Sequence, residues 1–124
     1  MNETFRPDEL IFRAVRPAEM YWKNGRPTSA AFKTSEPDGL STDRDGDRPL
    51  QECLDDIHSR LVGRVISVMY SQCQEESVVV LHDPINDPDN VNAYHTLLRD
   101  QDKVQIASGK AKRLASKAII HDNE

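Results

Sequence analysis

The sequence predicts an α+β fold, in which a small, mostly antiparallel sheet has about three helices packed on one face and a long irregular N-terminal excursion. Short β-branched runs separated by polar turns are typical of antiparallel strands. Two other stretches repeat apolar residues at helical spacing. A chain of 124 residues that is 37% hydrophobic is long enough for one domain with a modest core.

The domain boundaries follow from where the apolar patterns begin and end. We expect a flexible lead-in at residues 1–9, a single α+β domain at residues 10–119 and a polar tail at residues 120–124. The N-terminal residues lack the apolar core of a signal peptide, and no apolar run approaches the length of a membrane span. Two cysteines are too few for a disulfide scaffold. These features predict a soluble, cytoplasmic protein with no membrane partner.

The first half of the domain combines a strand, an irregular segment and the clearest helix of the chain. Residues 10–16 predict a strand. Residues 17–48 are rich in Pro, Gly, Ser and Asp, and Asn24-Gly25 predicts a turn within this excursion. A helix should follow, with Asp47 as its N-cap and Gly63 at its end. Its apolar stripe consists of Leu50, Cys53, Leu54, Ile57 and Leu61.

The second half predicts two strands and two helices. Residues 64–81 contain two apolar runs joined by a short polar turn, and so short a link favours an antiparallel hairpin. A helix is expected from Asp89, or from the preceding proline, to about Arg99. A second helix with lysine and arginine on its outer side is expected at residues 104–119.

The end of the strand at residues 77–81 is the strongest candidate site. The apolar run stops at His82 and Asp83, and His95 follows on the next predicted helix. Imidazole and carboxylate groups transfer protons in many active sites, so these three are our candidate catalytic residues. Their spacing matches no metal-binding motif, and we assign no metal. The hypothesis requires both imidazole rings and an arginine in one cleft. Alternatively, the His-Asp-Pro sequence only begins a turn.

Three residues of the N-terminal half are candidates for substrate binding. Arg13 lies between apolar residues on the first strand, and a half-buried guanidinium near hydroxyls is typical of phosphate and carboxylate sites. Arg44 is a second candidate anion ligand, and Trp22 is a candidate stacking surface. The alternatives are ion pairs with nearby acids and a tryptophan at the edge of the core. Ser41 and Ser71 have no local base that would mark them as nucleophiles.

Charge is distributed unevenly along the chain. Residues 49–102 hold 3 basic and 10 acidic side chains, whereas residues 103–124 hold 5 basic and 2 acidic ones. This contrast indicates attraction within the fold or between copies, or else a basic surface for an acidic partner. The net charge of −5 disfavours nucleic acid.

The sequence favours a small accessory or regulatory protein that binds a protein partner or itself. The long excursion at residues 17–48 carries Tyr21 and Trp22, and long loops often carry contacts. A first alternative is a small enzyme or ligand-binding protein for an anionic substrate, such as a nucleotide or another phosphate-bearing molecule. A second alternative is a nucleic-acid binder that uses the basic C-terminal helix. No cofactor is indicated.

Overall fold

Short β-branched runs alternate with turns along the chain, and most of them pair into one antiparallel sheet. The computed structural model describes residues 3–121. The strands are β1 (Leu10–Val15), β2 (Trp22–Lys23), β3 (Arg26–Pro27), β4 (Leu40–Arg44), β5 (Arg64–Met69), β6 (Val78–His82), β7 (Ile85–Asp87), β8 (Asn90–Asn92), β9 (His95–Asp100) and β10 (Ile119–His121). The helices are α1 (Leu50–Arg60), α2 (Tyr70–Glu75) and α3 (Ser108–Lys117), with short 3-10 helices at Glu19–Tyr21 and Ser29–Phe32.

Six strands form the main sheet in the order β10-β5-β1-β4-β9-β6, and all neighbouring strands are antiparallel. Two small hairpins, β2–β3 and β7–β8, stand apart from it. The predicted α+β fold with a mostly antiparallel sheet and three helices is thus confirmed. Within residues 3–121, no helix has the length and apolar character needed to cross a bilayer.

The sheet buries apolar residues on both faces, because successive side chains of a strand point to opposite sides. Ile11 of β1 belongs to a large cluster that includes Leu114 of α3, and we call this side the α3 face. Its neighbour Phe12 packs in a smaller cluster with Ile57 of α1, on what we call the α1 face. The helices therefore lie on both faces and do not share one face as we expected.

Helix α1 confirms the clearest prediction from the sequence. Its apolar stripe is buried at Cys53, Leu54 and Ile57, whereas Leu50 and Leu61 at the two ends of the predicted stripe are exposed. The helix begins after Pro49 without a side-chain cap, so the expected role of Asp47 as N-cap is wrong. Gly63 follows the helix with φ of +124°, and a Cβ at this position would lie 2.4 Å from the Val15 carbonyl oxygen. A glycine is therefore required there.

Residues 64–81 do not form the expected hairpin. The strands β5 and β6 are separated in the sheet by β1, β4 and β9, and α2 connects them. The polar stretch that we expected to be a turn is the end of this short helix. The Gln72 side chain accepts a hydrogen bond from the Met69 N–H at 2.8 Å and so stabilises its first turn. This helix carries the chain from one side of the sheet to its other edge.

The predicted helix from about residue 89 to Arg99 is wrong, because this segment forms β8 and β9. A side-chain turn separates the two strands, in which Asn92 Oδ1 accepts the Tyr94 N–H at 3.0 Å. β9 then pairs with β4 on one side and β6 on the other. Pairing on both sides outweighs the weak helical periodicity that the sequence shows.

The N-terminal residues are part of the fold, although we expected a flexible lead-in. Phe5 stacks on Tyr70 with ring centroids 4.8 Å apart, and Glu9 is only 2% exposed. At the other end, residues 119–121 form the edge strand β10. Residues 122–124 of the expected polar tail lie outside the described residues.

The excursion at residues 17–48 is more regular than its composition indicates. Asn24 and Gly25 have φ of 53° and 74° and form the predicted turn, which joins β2 to β3. The last part of the segment is β4, which lies between β1 and β9 within the sheet. The predicted C-terminal helix is present as α3, within the expected limits of 104–119.

A buried ion pair joins the N-terminal segment to β4. Arg44 Nε donates to Glu9 Oε2 at 2.7 Å, and the side chains are 3% and 2% exposed. Burial opposes ionisation of Glu9, but hydrogen bonds from Arg44 and from the Gly46 N–H outweigh it and lower the pKa of Glu9. Arg44 also lies 4.0 Å from the ring centroid of Phe5. The pair is therefore a structural link in the core.

We expect Arg44→Met to destabilise the protein by about 3–5 kcal/mol, because it leaves the Glu9 charge buried without its partner. The double variant Arg44→Met/Glu9→Gln should recover part of this loss. Urea unfolding at pH 7 measures both free energies. Lys117→Met, which breaks an exposed ion pair, is the control and should cost less than about 1 kcal/mol. The buried-charge explanation would be contradicted if the destabilisation of the double variant equalled the sum of the destabilisations caused by Arg44→Met and Glu9→Gln alone.

A second buried carboxylate anchors the start of α3. Asp100 Oδ1 accepts hydrogen bonds from Lys110 Nζ at 2.8 Å and from the Gln101 N–H at 2.7 Å. Its Oδ2 accepts the Ala107 N–H at 2.8 Å. The hydrogen bond from Lys110 is the main cause that lowers the pKa of Asp100 from 3.8 to about 2. The ionised Asp100 carboxylate thus stabilises the native state at pH values above 3.8, the ordinary pKa of an aspartate.

We expect Asp100→Asn to lower the free energy of unfolding at pH 7 by about 1–3 kcal/mol, the range for hydrogen bonds to charged groups. Because the folded-state pKa is depressed, this stabilisation is complete above pH 3.8 and is lost as the pH falls through about 2. The difference in free energy of unfolding between Asp100→Asn and the parent protein should therefore disappear in acid. Urea unfolding across that pH range measures this difference. The exposed neighbour Asp102→Asn is the control. A difference that stays constant with pH would contradict this role of the charge.

Candidate functional site

The three candidate catalytic residues do not lie together, because alternation along β6 and β9 separates the two histidines. His82 pairs with Thr96 and points to the α3 face, where its Nδ1 lies 3.3 Å from Arg44 Nη1. His95 pairs with Asp43 and points to the α1 face, together with Asp83. The expected cleft with both imidazole rings and an arginine is therefore not formed. Burial, followed by the charge of Arg44, lowers the pKa of His82.

The candidate substrate-binding residues are also distributed over different environments. Arg44 is committed to its buried pair with Glu9. Trp22 donates its Nε1–H to the Arg16 carbonyl oxygen at 2.8 Å and packs against the edge of the core on the α3 face. Of the three, Arg13 alone lines the large groove described next.

An open groove of about 990 Å³ lies on the α1 face and reaches the loop before β4. Its lining combines strand residues, the exposed end of α1 and the β7–β8 hairpin. Asp83 and His95 lie in it, so the structure keeps two of the three candidate catalytic residues at one site. Apolar lining is provided by Phe12, Ile57, Leu61, Val62, Ile85 and Leu97.

Within the groove, a serine, a histidine and an aspartate form a hydrogen-bonded relay. His95 Nε2 lies 3.2 Å from Ser41 Oγ, and His95 Nδ1 lies 3.1 Å from Asp83 Oδ2. The same Nδ1 is 3.0 Å from the Asp83 carbonyl oxygen. We call these three side chains the Ser41 relay. They come from the neighbouring strands β4 and β9 and from the residue that follows β6.

The surroundings of His95 fix its tautomer. A carbonyl oxygen can only accept a hydrogen bond, so the contact with Asp83 requires a proton on Nδ1. In the neutral imidazole, Nε2 is then unprotonated and accepts the hydroxyl proton of Ser41. This is the arrangement in which a histidine can remove a proton from a serine.

A second carboxylate beside the relay is held by its own partners. Asp43 is 5% exposed, and it accepts hydrogen bonds from Asn92 Nδ2 at 2.7 Å and from Arg60 Nη2 at 3.0 Å. Burial disfavours the Arg60 charge, but hydrogen bonds to Asp56 and Asp43 outweigh it and raise the pKa of Arg60. These contacts connect α1, β4 and β8. They hold the walls of the groove around the relay. Both carboxylate oxygens of Asp43 accept a hydrogen bond within the fold.

A second serine–histidine contact lies on the same face of the sheet but outside the groove. Ser67 Oγ lies 2.7 Å from His121 Nε2, but Ser67 is only 1% exposed. Burial also lowers the pKa of His121. A substrate cannot reach a serine that is closed from solvent, whereas Ser41 is exposed at the groove surface. We therefore assign Ser67 to the packed interior and Ser41 to the candidate site.

Sequence reasoning missed Ser41, Asp43 and Asn92. Ser41 has no base nearby in the chain, since His95 is 54 residues away. The signal was the β-strand alternation of residues 40–44 and 95–100, which would have placed Ser41 and His95 on one face. The segment containing His95 was instead expected to be a helix, and this error concealed the contact.

Comparisons with known proteins give no family for the chain: no protein-family model, curated protein or solved structure matches it. Among residues 3–121, no group of three or more His, Cys, Asp or Glu side chains is arranged to hold a metal ion.

We expect the two histidines at the ends of β6 and β9 to be opposite tautomers in their neutral forms. His95 should carry its proton on Nδ1, for the reason given above. His82 should carry it on Nε2, because Arg44 can only donate and its contact requires an accepting Nδ1. Two-bond ¹H–¹⁵N NMR spectra of the rings distinguish the tautomers, and His82 serves as the internal reference. An Nε2–H tautomer at His95 would contradict the relay.

Proposed function

We propose that the protein is a small hydrolase that cleaves carboxylic esters in the groove on the α1 face, with Ser41 as its nucleophile. The observation that carries this proposal is the Ser41 relay, in which Nε2 of His95 accepts from Ser41 while Asp83 occupies Nδ1. A serine becomes a useful nucleophile when an adjacent base is oriented by a third group. This deepens the enzyme alternative from the sequence and replaces His82 by Ser41.

The reaction would proceed through an acyl-enzyme. Ser41 Oγ attacks the ester carbonyl carbon and forms a C–O bond, while its proton passes to His95 Nε2. The imidazolium then donates this proton to the leaving alkoxide as the original ester bond breaks. Water attacks the acyl group with His95 as base, which releases the acid and restores Ser41. Asp83 keeps the imidazole oriented and stabilises its positive charge.

The form of the groove suits hydrolysis. Ser41 is exposed, and the Asp83 side chain is 50% exposed, so water can reach the acyl group. The exposed apolar side chains of Leu61 and Val62 line the same groove and offer contact surface to the rest of an ester. Ser41 and His95 also lie on paired strands, which hold them more precisely than loops would.

The other two functions expected from the sequence stay predictions, and the structure favours them less. Tyr21 and Trp22, the proposed contact residues for a protein partner, pack against the core. Three basic side chains of α3 pair with acids within the fold, namely Lys110, Arg113 and Lys117, as in Arg113 Nε to Glu76 Oε1 at 2.7 Å. This pairing supports attraction within the fold over a surface for nucleic acid. A cytoplasmic location also stays a proposal, supported by the free, buried thiols of Cys53 and Cys73.

We expect the purified protein to hydrolyse p-nitrophenyl acetate, and Ser41→Ala and His95→Ala to lower kcat by at least about 100-fold, the lower range for loss of acid–base catalysis. Release of p-nitrophenol, followed by absorbance, measures the rate. A fluorophosphonate probe should modify Ser41 in the parent protein, as detected by mass spectrometry of its peptides.

Ser67→Ala is the matched control, because it removes a serine that also contacts a histidine but lies outside the groove surface. It should keep both the ester hydrolysis and the label on Ser41. Thermal unfolding must show that each variant is folded. Absence of any label on Ser41, or hydrolysis that survives in Ser41→Ala, would sink the proposal.

A further inference from the structure

The ladder between β1 and β4 is short, and an arginine occupies the place where it ends. The two strands pair at Ile11–Arg44 and Phe12–Asp43 and not beyond. The next residue of β1 is Arg13, whose Nη1 donates to the Ser41 carbonyl oxygen at 3.2 Å. Its Nε donates to the Ala31 carbonyl oxygen at 3.2 Å. The guanidinium thus lies between the strands and is bonded to the main chain of the proposed nucleophile.

Arg13 is a half-buried cation whose hydrogen-bond partners are both carbonyl oxygens. In the described part of the chain, no carboxylate lies within ion-pair distance of it, whereas buried Arg44 pairs with Glu9. Burial lowers the pKa of Arg13, and an opposing effect of Tyr21 offsets this only in part. A desolvated guanidinium gains most from an anion, since carbonyl dipoles replace only part of its hydration.

The Arg13 guanidinium keeps hydrogen-bond donors that its two carbonyl partners do not use. Nε and Nη1 each give one hydrogen to a carbonyl, so the hydrogens of Nη2 and the second hydrogen of Nη1 remain. A planar guanidinium with donors left on Nη1 and Nη2 can bind a carboxylate or phosphate in bidentate fashion, as a fork. The Arg13 side chain leaves β1 on the α3 face, opposite Ile66. The ladder between β1 and β4 stops at Phe12, and Arg13 lines the groove together with Ser41 and His95.

We infer that Arg13 binds an anionic group of the substrate, so that the hydrolase acts on esters that carry a carboxylate or phosphate close to the scissile bond. The inference rests on the proposed function and adds its substrate class. Arg13 is bonded to the main chain of Ser41 itself, which is why the anion must lie near the reacting carbon. The groove lining contains as many acidic as basic side chains, so selection depends on this local contact and not on long-range attraction.

Two matched esters test the inference, namely neutral p-nitrophenyl acetate and anionic mono-p-nitrophenyl succinate. Arg13→Lys keeps the charge and removes the fork, and Arg13→Met removes both. We expect each variant to raise KM for the succinate ester at least 10-fold more than it raises KM for the acetate ester. Equal losses on both esters would overturn the inference, because they would assign Arg13 to the oxyanion or to the fold. Unchanged kinetics on both esters would overturn it as well.

Arg26→Lys is the matched control, because Arg26 also donates only to carbonyl oxygens, those of Ala115, Ser116 and Ala118, but is exposed and lies outside the groove. It should change neither KM. Circular dichroism melting identifies any Arg13 variant that fails to fold. If Arg13→Met is unfolded, Arg13→Lys decides the outcome.

A binding measurement on Ser41→Ala separates failure of the inference from failure of the proposed function. Succinate and inorganic phosphate are titrated while the ¹⁵Nε resonance of Arg13 is followed by NMR. A saturable shift that is absent for the Arg26 resonance supports the anion site, even if neither ester is hydrolysed. No shift with either anion would overturn the inference, even if the acetate ester is cleaved at Ser41.

Discussion

The register in which β9 pairs with β4 and β6 determines which side chains lie on each face of the sheet. On the α3 face, Thr96 meets Thr42, and their hydroxyls are 2.6 Å apart and buried. On the α1 face, His95 lies beside the strand position of Asp43 and next to Asp83. Because side chains alternate along a strand, a slip by one residue would exchange these two sets. Core packing on one side of the sheet therefore positions the Ser41 relay on the other.

The arginines show how the same charge serves two purposes. The charge of Arg44 is matched by a buried carboxylate, and the pair joins the N-terminal segment to the sheet. Arg13 is held by carbonyl oxygens alone, and it lines the groove. The uneven charge along the sequence has a structural use too, since lysine and arginine of α3 pair with Glu75, Glu76 and Asp100. Burial and partners decide what each cation can do.

Local patterns predicted the elements that depend on local interactions. The stripe of α1, the strand β1 and the Asn24-Gly25 turn were all readable, as was most of α3. The segment of β9 was not, because its conformation depends on strands on both sides. The same applies to the site. Asp83 and His95 were candidates from their chemistry, but the partnership with Ser41 and the separation from His82 follow from alternation in a sheet whose order the sequence does not state.

The relay joins parts of the chain that are far apart in sequence, with Ser41 and His95 separated by 54 residues. Contacts of this kind form only when the loop between them has closed, which is slow compared with local helix formation. A nascent or partly unfolded chain thus contains a serine of ordinary reactivity. If Ser41 is the nucleophile that we propose, it gains this character only in the completed sheet. A chain cut between β4 and β9 would then lose it as soon as the pieces separate. Under the proposed function, the need for a completed fold would also keep an unfinished chain from hydrolysing esters.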